Sequence, residues 1–199
     1  MIGGLILAAG SGSRFGGPKQ LAELDGKPLL DHAVKAMSAV PAIERIVVVL
    51  GASADVIRTR AGLDGVDVVV ADDWADGVSA SLRAGIAALR SAEAVVVTLA
   101  DQPLITPQVI AAVVDLGDSR LPAARATYGG NLGHPVLIKR ELFDQIADLA
   151  GDAGARDLLE LAGVAKVECG HLADPHDVDT PDDLAEIAAL KTSEQQVQG

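Results

Sequence analysis

The residues best suited to chemistry lie between Leu7 and Lys19. There Leu7-Ala8-Ala9-Gly10-Ser11-Gly12-Ser13-Arg14-Phe15-Gly16-Gly17-Pro18-Lys19 combines four glycines, two serines and two cations in thirteen positions. Glycines let main-chain N–H groups approach an anion closely, the serines add hydroxyl donors, and Arg14 and Lys19 bring the positive charge that a triphosphate requires. A flexible turn with solvated charges is the plain alternative, but it has no need of two cations set among glycines. Two familiar phosphate loops do not fit. A dinucleotide-binding fingerprint needs a third glycine where Phe15 stands and an acidic residue closing the second strand, where Leu50-Gly51 stands. A Walker A loop needs Gly-Lys followed by Ser or Thr, whereas Lys19 lies between Pro18 and Gln20. Hydride transfer and ordinary P-loop hydrolysis are both disfavoured.

Other candidates are scattered, and each has an ordinary reading beside the functional one. Asp101 follows the apolar run Ala94 to Leu99. It can cap a turn, or it can give Mg²⁺ one of the hard oxygen ligands that ion takes alongside phosphate oxygens and water. Asp177 and Asp179 precede Thr180-Pro181, where helix capping is natural. Ser79 and Ser81 suit a helix N-cap or a hydrogen bond to a base or ribose. His134, between Gly133 and Pro135, is either a loop hydrogen-bonder or a substrate contact. Asp152 and Arg156 stand four apart, the spacing of a helical ion pair worth only about a few tenths of a kcal/mol. Trp74, the only tryptophan, is read as packing on the core.

Something must position these groups. Apolar, β-branched runs at Ile2 to Leu7, Ile46 to Leu50, Val66 to Val70 and Ala94 to Leu99 predict buried strands. Helical patterns near Leu29 to Met37, Ala54 to Arg60, Ser79 to Leu89 and Pro107 to Leu116 supply the crossovers that parallel strands require. Strands apolar on both faces imply helices on both sides of the sheet. Beyond Asp118 the pattern changes. Ala123 to Tyr128 and Pro135 to Ile138, joined by Gly129-Gly130-Asn131-Leu132-Gly133, predict some antiparallel pairing. Helices near Glu141 to Leu149 and Ala155 to Leu161, a strand at Val164 to Cys169 and a helix from Pro181 to Leu190 complete one domain over residues 1–191. The polar stretch Thr192 to Gly199 is expected to be a disordered, frayed tail.

The bulk numbers narrow the function classes. With 199 residues, 49% of them hydrophobic, the chain suits one substantial core. Its apolar runs of about five residues are far short of the roughly 20 that span a bilayer. With no basic leader before Leu5-Ile6-Leu7, a cytoplasmic location without membrane association is expected. A single cysteine, Cys169, excludes an internal disulfide and multi-cysteine metal sites. The net charge of −12 argues against a nucleic-acid-binding surface.

Leu7-Ala8-Ala9-Gly10-x-x-x-Arg14-Phe15-Gly16 with Pro18-Lys19-Gln20-Leu21 resembles the MobA/MocA-like nucleotidyltransferases, the family of molybdenum-cofactor cytidylyltransferases and guanylyltransferases. The resemblance continues through Gly77-Val78-Ser79-Ala80-Ser81-Leu82, Leu99-Ala100-Asp101-Gln102-Pro103-Leu104, Gly133-His134-Pro135, Gly151-Asp152-x-Gly154-Ala155-Arg156 and Asp177-Val178-Asp179-Thr180-Pro181-Asp182-Asp183-Leu184. Each motif is weak alone; six in this order are specific.

The resemblance implies a three-layer α/β/α Rossmann-like fold of the nucleotide-diphospho-sugar transferase type, with a mostly parallel sheet and some antiparallel pairing. It implies nucleotide binding by Leu7, Ala8, Ala9, Gly10, Ser11, Gly12, Ser13, Arg14, Lys19, Ser79, Ser81 and Asp101, with Arg14, Lys19 and Asp101 catalytic. Mg²⁺ would be held by Asp101 and Asp179, and the acceptor by His134, Asp152 and Arg156. Ala9 stands where the guanylyltransferases more often show a glycine, so CTP is the expected nucleotide. The expected acceptor is molybdopterin, and a molybdenum hydroxylase apoenzyme is an associated partner. A guanylyltransferase or sugar-phosphate nucleotidyltransferase, or a non-catalytic nucleotide-binding accessory protein, stays open as an alternative.

Overall fold

Consecutive residues of a strand point to opposite faces of its sheet, and here both faces are covered. Leu5 and Ile6, Val47 and Val48, and Val95 and Val96 are all completely buried. The computed structural model describes the backbone of residues 1–150 and 154–197, and side chains from residues 1–150 and 155–191. The chain begins with β1 (Ile2–Ala8), a small hairpin of β2 (Glu23–Leu24) and β3 (Lys27–Pro28), and α1 (Leu29–Ser38). Next come β4 (Ile43–Leu50), α2 (Ala54–Arg60), β5 (Asp67–Val70), α3 (Val78–Ala88), β6 (Ala94–Leu99) and α4 (Pro107–Asp115). The last part holds β7 (Ala123–Tyr128), β8 (Asn131–Lys139), α5 (Phe143–Ala147), α6 (Gly154–Ala162), β9 (Val164–Glu168) and α7 (Pro181–Val197).

Seven strands form one sheet in the order β5-β4-β1-β6-β8-β7-β9. Only β8 runs against the others, pairing antiparallel with both β6 and β7. Leu5, Val47 and Val95 pack with Leu82 and Ile86 of α3, Phe143 and Ile146 of α5 and Leu159 of α6. Ile6, Val48 and Val96 pack with Leu30 and Met37 of α1, Ile57 of α2 and Ile110 and Val113 of α4. Each fully buried aliphatic side chain contributes about 1.5–3 kcal/mol relative to exposure, so the two-sided burial fixes the sheet as a rigid platform. A smaller cluster of Leu24, Leu29, Val178 and Ile187 ties α7 to the hairpin and the start of α1. No helix among the described residues is long and apolar enough to cross a membrane.

Placement differs from expectation mostly at boundaries. β4 starts at Ile43 rather than Ile46, and β8 reaches from Asn131 to Lys139 rather than only Pro135 to Ile138. The helix expected over Glu141 to Leu149 divides into a 3₁₀ turn at Arg140–Leu142 and the short α5. Where fraying was expected from Thr192, the backbone stays helical to Val197. Lys191, Glu194, Gln195 and Gln196 are good helix formers, and no Gly or Pro stands between Pro181 and Gly199.

The β7–β9 edge carries an unusual lock. Glu168 accepts hydrogen bonds from the N–H groups of Gly129 at 2.9 Å, Gly130 at 3.2 Å and Gly170 at 3.1 Å, and from the Thr127 hydroxyl at 2.9 Å. The Gly129 N–H, then the Thr127 hydroxyl and the other amides, hold its carboxyl down at about 2. A depressed carboxyl contributes stability that is complete above its ordinary value of 4.5 and is lost as pH falls through about 2. Glu168→Gln is therefore expected to lower Tm at neutral pH and to show a gap from the unmodified protein that narrows between pH 5 and pH 2. Parallel Tm–pH curves would count against the lock.

Candidate functional site

In an open α/β sheet, ligands bind beyond the carboxyl ends of the strands where the strand order reverses. Here the chain leaves β1 for β4 and β5 on one side and returns to β6 on the other, so the switch point lies between β1 and β6. The loop after β1 and Asp101 after β6 both emerge there.

The loop is held from inside. Gln20, buried, donates through Nε2 to the carbonyl oxygens of Ala8 and Gly10, each at 2.8 Å. The Ala9 carbonyl accepts from Ala52 N–H at 3.1 Å, which ties the loop to the end of β4. Gly12 makes the turn: its carbonyl accepts from the N–H groups of Phe15 at 2.9 Å, Gly16 at 3.0 Å and Gly17 at 3.2 Å. Its φ is +64°, and a Cβ there would lie 1.9 Å from the Gly17 carbonyl oxygen, so no other residue fits. Meanwhile the N–H groups of Gly10, Ser11, Gly12 and Ser13 have no acceptor among the described residues. A run of open main-chain donors has the chemistry to cradle an anion.

Charge is organised around Lys19. Its Nζ lies 2.6 Å from Asp101 Oδ2 and 2.8 Å from Asp179 Oδ1, and Arg14 Nη2 lies 2.9 Å from Asp179 Oδ2. Burial pulls the Lys19 pKa down, but hydrogen bonds to the two carboxylates outweigh it and the net shift is upward. The Lys19 hydrogen bond holds Asp179 below the usual carboxylate range, while burial and then Asp101 push Asp177 up. Asp179 is free for this role because the helix cap is made by its neighbours. Asp183 accepts from the N–H groups of Asp179 and Thr180, and the Thr180 hydroxyl accepts from Asp183 N–H. The capping expected of Asp177 and Asp179 thus falls to Thr180 and Asp183.

Asp101 and Asp179 suit a divalent cation. Asp101 Oδ1 is buried without a hydrogen-bond partner, and a hard cation is a fitting partner for such an oxygen. Among the described residues no three Asp, Glu, His or Cys side chains gather to bind a metal by themselves. Two carboxylates with the remaining positions left to phosphate and water match the habit of Mg²⁺ or Mn²⁺.

The remaining candidates divide. Ser79 and Ser81 are buried in the first turns of α3, so in this conformation their side chains do not line an open surface. The capping position of α3 is Gly77, not Ser79. His134 lies in a cavity of about 610 Å³ with Arg156, where burial, and next the charge of Arg125, push its pKa down to about 4. It is therefore neutral at physiological pH. Arg156 pairs with Glu160 at 3.2 Å, while Asp152, its expected partner, lies outside the described residues. Trp74 packs against the cluster that contains Leu82 and lies beside Gly51, as expected of a packing residue. Arg125 of β7, half-buried in the same cavity, was not found from sequence. A lone arginine on a strand carries no motif, and only the alternation of Ala124, Arg125 and Ala126 hints that it faces inward.

An anion cradle, two cations and a pair of aspartates at the switch point of this sheet define a nucleotidyltransferase. The chain belongs to the MobA-like NTP transferase domain family, matching it over residues 4–169. It is 34% identical over 196 residues to nicotine blue oxidoreductase of Paenarthrobacter nicotinovorans, covering 92% of this chain and 94% of that one. It is 26% identical over 181 residues to molybdenum cofactor cytidylyltransferase of Escherichia coli K12, covering 90% and 92%. Among solved structures, a Mycobacterium sp. strain JC1 homologue of the Mycobacterium tuberculosis protein Rv0371c is 35% identical, with TM-score 0.84 over 94% of this chain and 95% of that one. The Mycobacterium tuberculosis Rv0371c complex with manganese is 30% identical, with TM-score 0.80 over 94% and 98%.

Proposed function

We propose that this protein is a cytoplasmic cytidylyltransferase that moves CMP from CTP to a phosphorylated acceptor, molybdopterin foremost, and releases pyrophosphate. The observation that carries the reading is Lys19 held between Asp101 and Asp179 beside the open amides of Gly10 to Ser13. The amides and Arg14 bind and orient the triphosphate, and Lys19 stabilises the negative charge that grows on its oxygens as the bond to pyrophosphate breaks. An acceptor phosphate oxygen attacks the α-phosphorus; being already anionic, it needs no strong general base. Asp101 and Asp179 would hold Mg²⁺, which would supply charge neutralisation at the phosphates. The cytidylated product would serve a molybdenum hydroxylase apoenzyme. Support comes from Ala9 in the loop and from the cytidylyltransferase relative that aligns over most of the chain.

A second reading rests on the relative named as an oxidoreductase, which aligns over almost the whole chain. One assay separates them: pyrophosphate release from CTP, GTP, ATP and UTP with Mg²⁺ and either molybdopterin or a sugar phosphate, run beside a spectroscopic titration with nicotinamide cofactors. The transfer reading expects pyrophosphate only with acceptor present and fastest with CTP. Fastest release with GTP, or with a sugar phosphate as acceptor, would move the assignment to those transferases. Nucleotide binding without release would point to an accessory protein. Tight nicotinamide binding without pyrophosphate would favour the oxidoreductase.

A further inference from the structure

Residues 173–179 form no helix or strand, yet they carry Asp179 to the site. A segment without a hydrogen-bonded ladder keeps one position only where side chains or single main-chain bonds hold it. Val178 is completely buried beside Leu24, Leu29 and Ile187, and its N–H donates to the Asp101 carbonyl at 2.8 Å. Gln102, the next residue after Asp101, is buried and donates from Nε2 to the Pro175 carbonyl at 3.0 Å. Against the burial and the Asp101 charge that push the Asp177 carboxyl up, the same side chain favours its charged form. Gln102 thus faces the segment at two points, both before the bond that Val178 makes. Its own carbonyl oxygen, Oε1, is buried with no hydrogen-bond partner among the described residues. Such an orphan is unfavourable, and a methionine would fill the same space without one. What the amide offers here over an apolar chain is therefore its N–H donors.

We propose that Gln102 is a positioning residue for the second carboxylate: its amide clamps residues 175–178 to the end of β6 and so keeps Asp179 close enough to Asp101 for one divalent cation to bind both. A single tie at Val178 would let the segment pivot. The second tie, at Pro175, removes that freedom. The demand on position is steep, because Mg²⁺ takes its oxygens at about 2.0–2.1 Å in a near-octahedral array. One ammonium, Lys19 Nζ, already touches both carboxylates, so the clamped arrangement is one that a small cation can bridge. This inference rests on the reading in which Asp101 and Asp179 share the metal, but the clamp itself can be measured without metal or nucleotide.

Two measurements on the unmodified protein and on Gln102→Met test the two halves. The first is NMR relaxation. Backbone order parameters of residues 176–179 are expected to fall from the rigid range of about 0.85 to below about 0.6 in the variant, while those of β1 and β6 stay unchanged. Order parameters at 176–179 that remain level with those of β6 would overturn the clamp. The second is calorimetry with Mn²⁺ alone, which is expected to bind the variant about fivefold to tenfold more weakly. In an Asp179→Asn background the same substitution should weaken Mn²⁺ by less than about twofold, since the carboxylate that Gln102 positions is already gone. Equal weakening in both backgrounds, or none in either, would overturn the positioning role. Should Gln102→Met fail to fold, Gln102→Asn, one methylene short of the Pro175 carbonyl, goes through the same two measurements. Absence of Mn²⁺ binding to the unmodified protein would overturn the shared-metal reading and not the clamp, which the order parameters still decide.

Discussion

Replacing Lys19 with methionine is expected to lower pyrophosphate release from CTP by about a hundredfold to a thousandfold, the usual loss when one preorganised donor to a developing charge is removed. The side chain keeps its length, so the loop can close, but the ammonium that faces the phosphates is gone. The same change has a second, independent consequence. In the unmodified protein Lys19 neutralises Asp101 and Asp179 from 2.6 and 2.8 Å. Both carboxylates are less than a third exposed, and although Asp179 keeps Arg14, Asp101 loses the ammonium beside it, so the change should cost about 2 kcal/mol. Mg²⁺ should restore much of that loss, and a Tm series with and without the ion measures it. The variant is expected to gain more from Mg²⁺ than the unmodified protein does, because in the latter the metal competes with Lys19. Equal gains in both would show that lysine and metal do not share these carboxylates.

The second large effect is expected at Gly12. Gly12→Ala places a methyl 1.9 Å from the Gly17 carbonyl oxygen and holds an L-residue at a φ of +64°. The loop must open to relieve this, which breaks the fan of hydrogen bonds from Phe15, Gly16 and Gly17 to the Gly12 carbonyl. Affinity for CTP is expected to fall about a hundredfold or more, whereas Tm should move by only a few degrees, because from Gly12 to Gly17 only Phe15 packs against a buried cluster, the smallest of the three. Gly10→Ala is the control. A Cβ at Gly10 meets nothing within 4 Å, so any loss of affinity there reports the closeness of the ligand rather than the shape of the loop. Similar losses in Tm and affinity for Gly12→Ala would mean that the loop supports the fold and not the ligand.

The order of strands and crossover helices was legible because buried parallel strands leave continuous apolar runs and helices leave a 3.6-residue period. Strand ends were less so. Ile43 was separated from Ile46 by Glu44 and Arg45, and a rule that looks for apolar runs stops at such charges. The hairpin of β2 and β3, with two residues in each strand, is too short to leave any pattern. At the site, Arg14, Lys19 and Asp101 could be found because glycines and charge mark a phosphate loop and the sheet topology brings its switch-point edge into view. Asp179 needed the resemblance, since spacing alone allows capping equally well; Thr180 before Pro181 already reads as a helix start, and the fold shows it sharing the cap with Asp183. Arg125 left only a break in an alternation, and Gln20 only its place in Pro18-Lys19-Gln20-Leu21. One owes its meaning to the cavity it lines and the other to two carbonyls it holds, and both are properties of tertiary placement.

The proposed function requires a nucleoside triphosphate on the loop after β1 with a divalent cation held through Asp101. The most direct test is calorimetric titration with CTP, GTP, ATP and UTP, with and without Mg²⁺, on the unmodified protein and on Asp101→Ala. The structure's logic predicts that CTP binds most tightly, that Mg²⁺ strengthens binding about tenfold or more, and that Asp101→Ala abolishes the Mg²⁺ effect while sparing the fold. Failure of every triphosphate to bind, or an undiminished Mg²⁺ effect in Asp101→Ala, would contradict it.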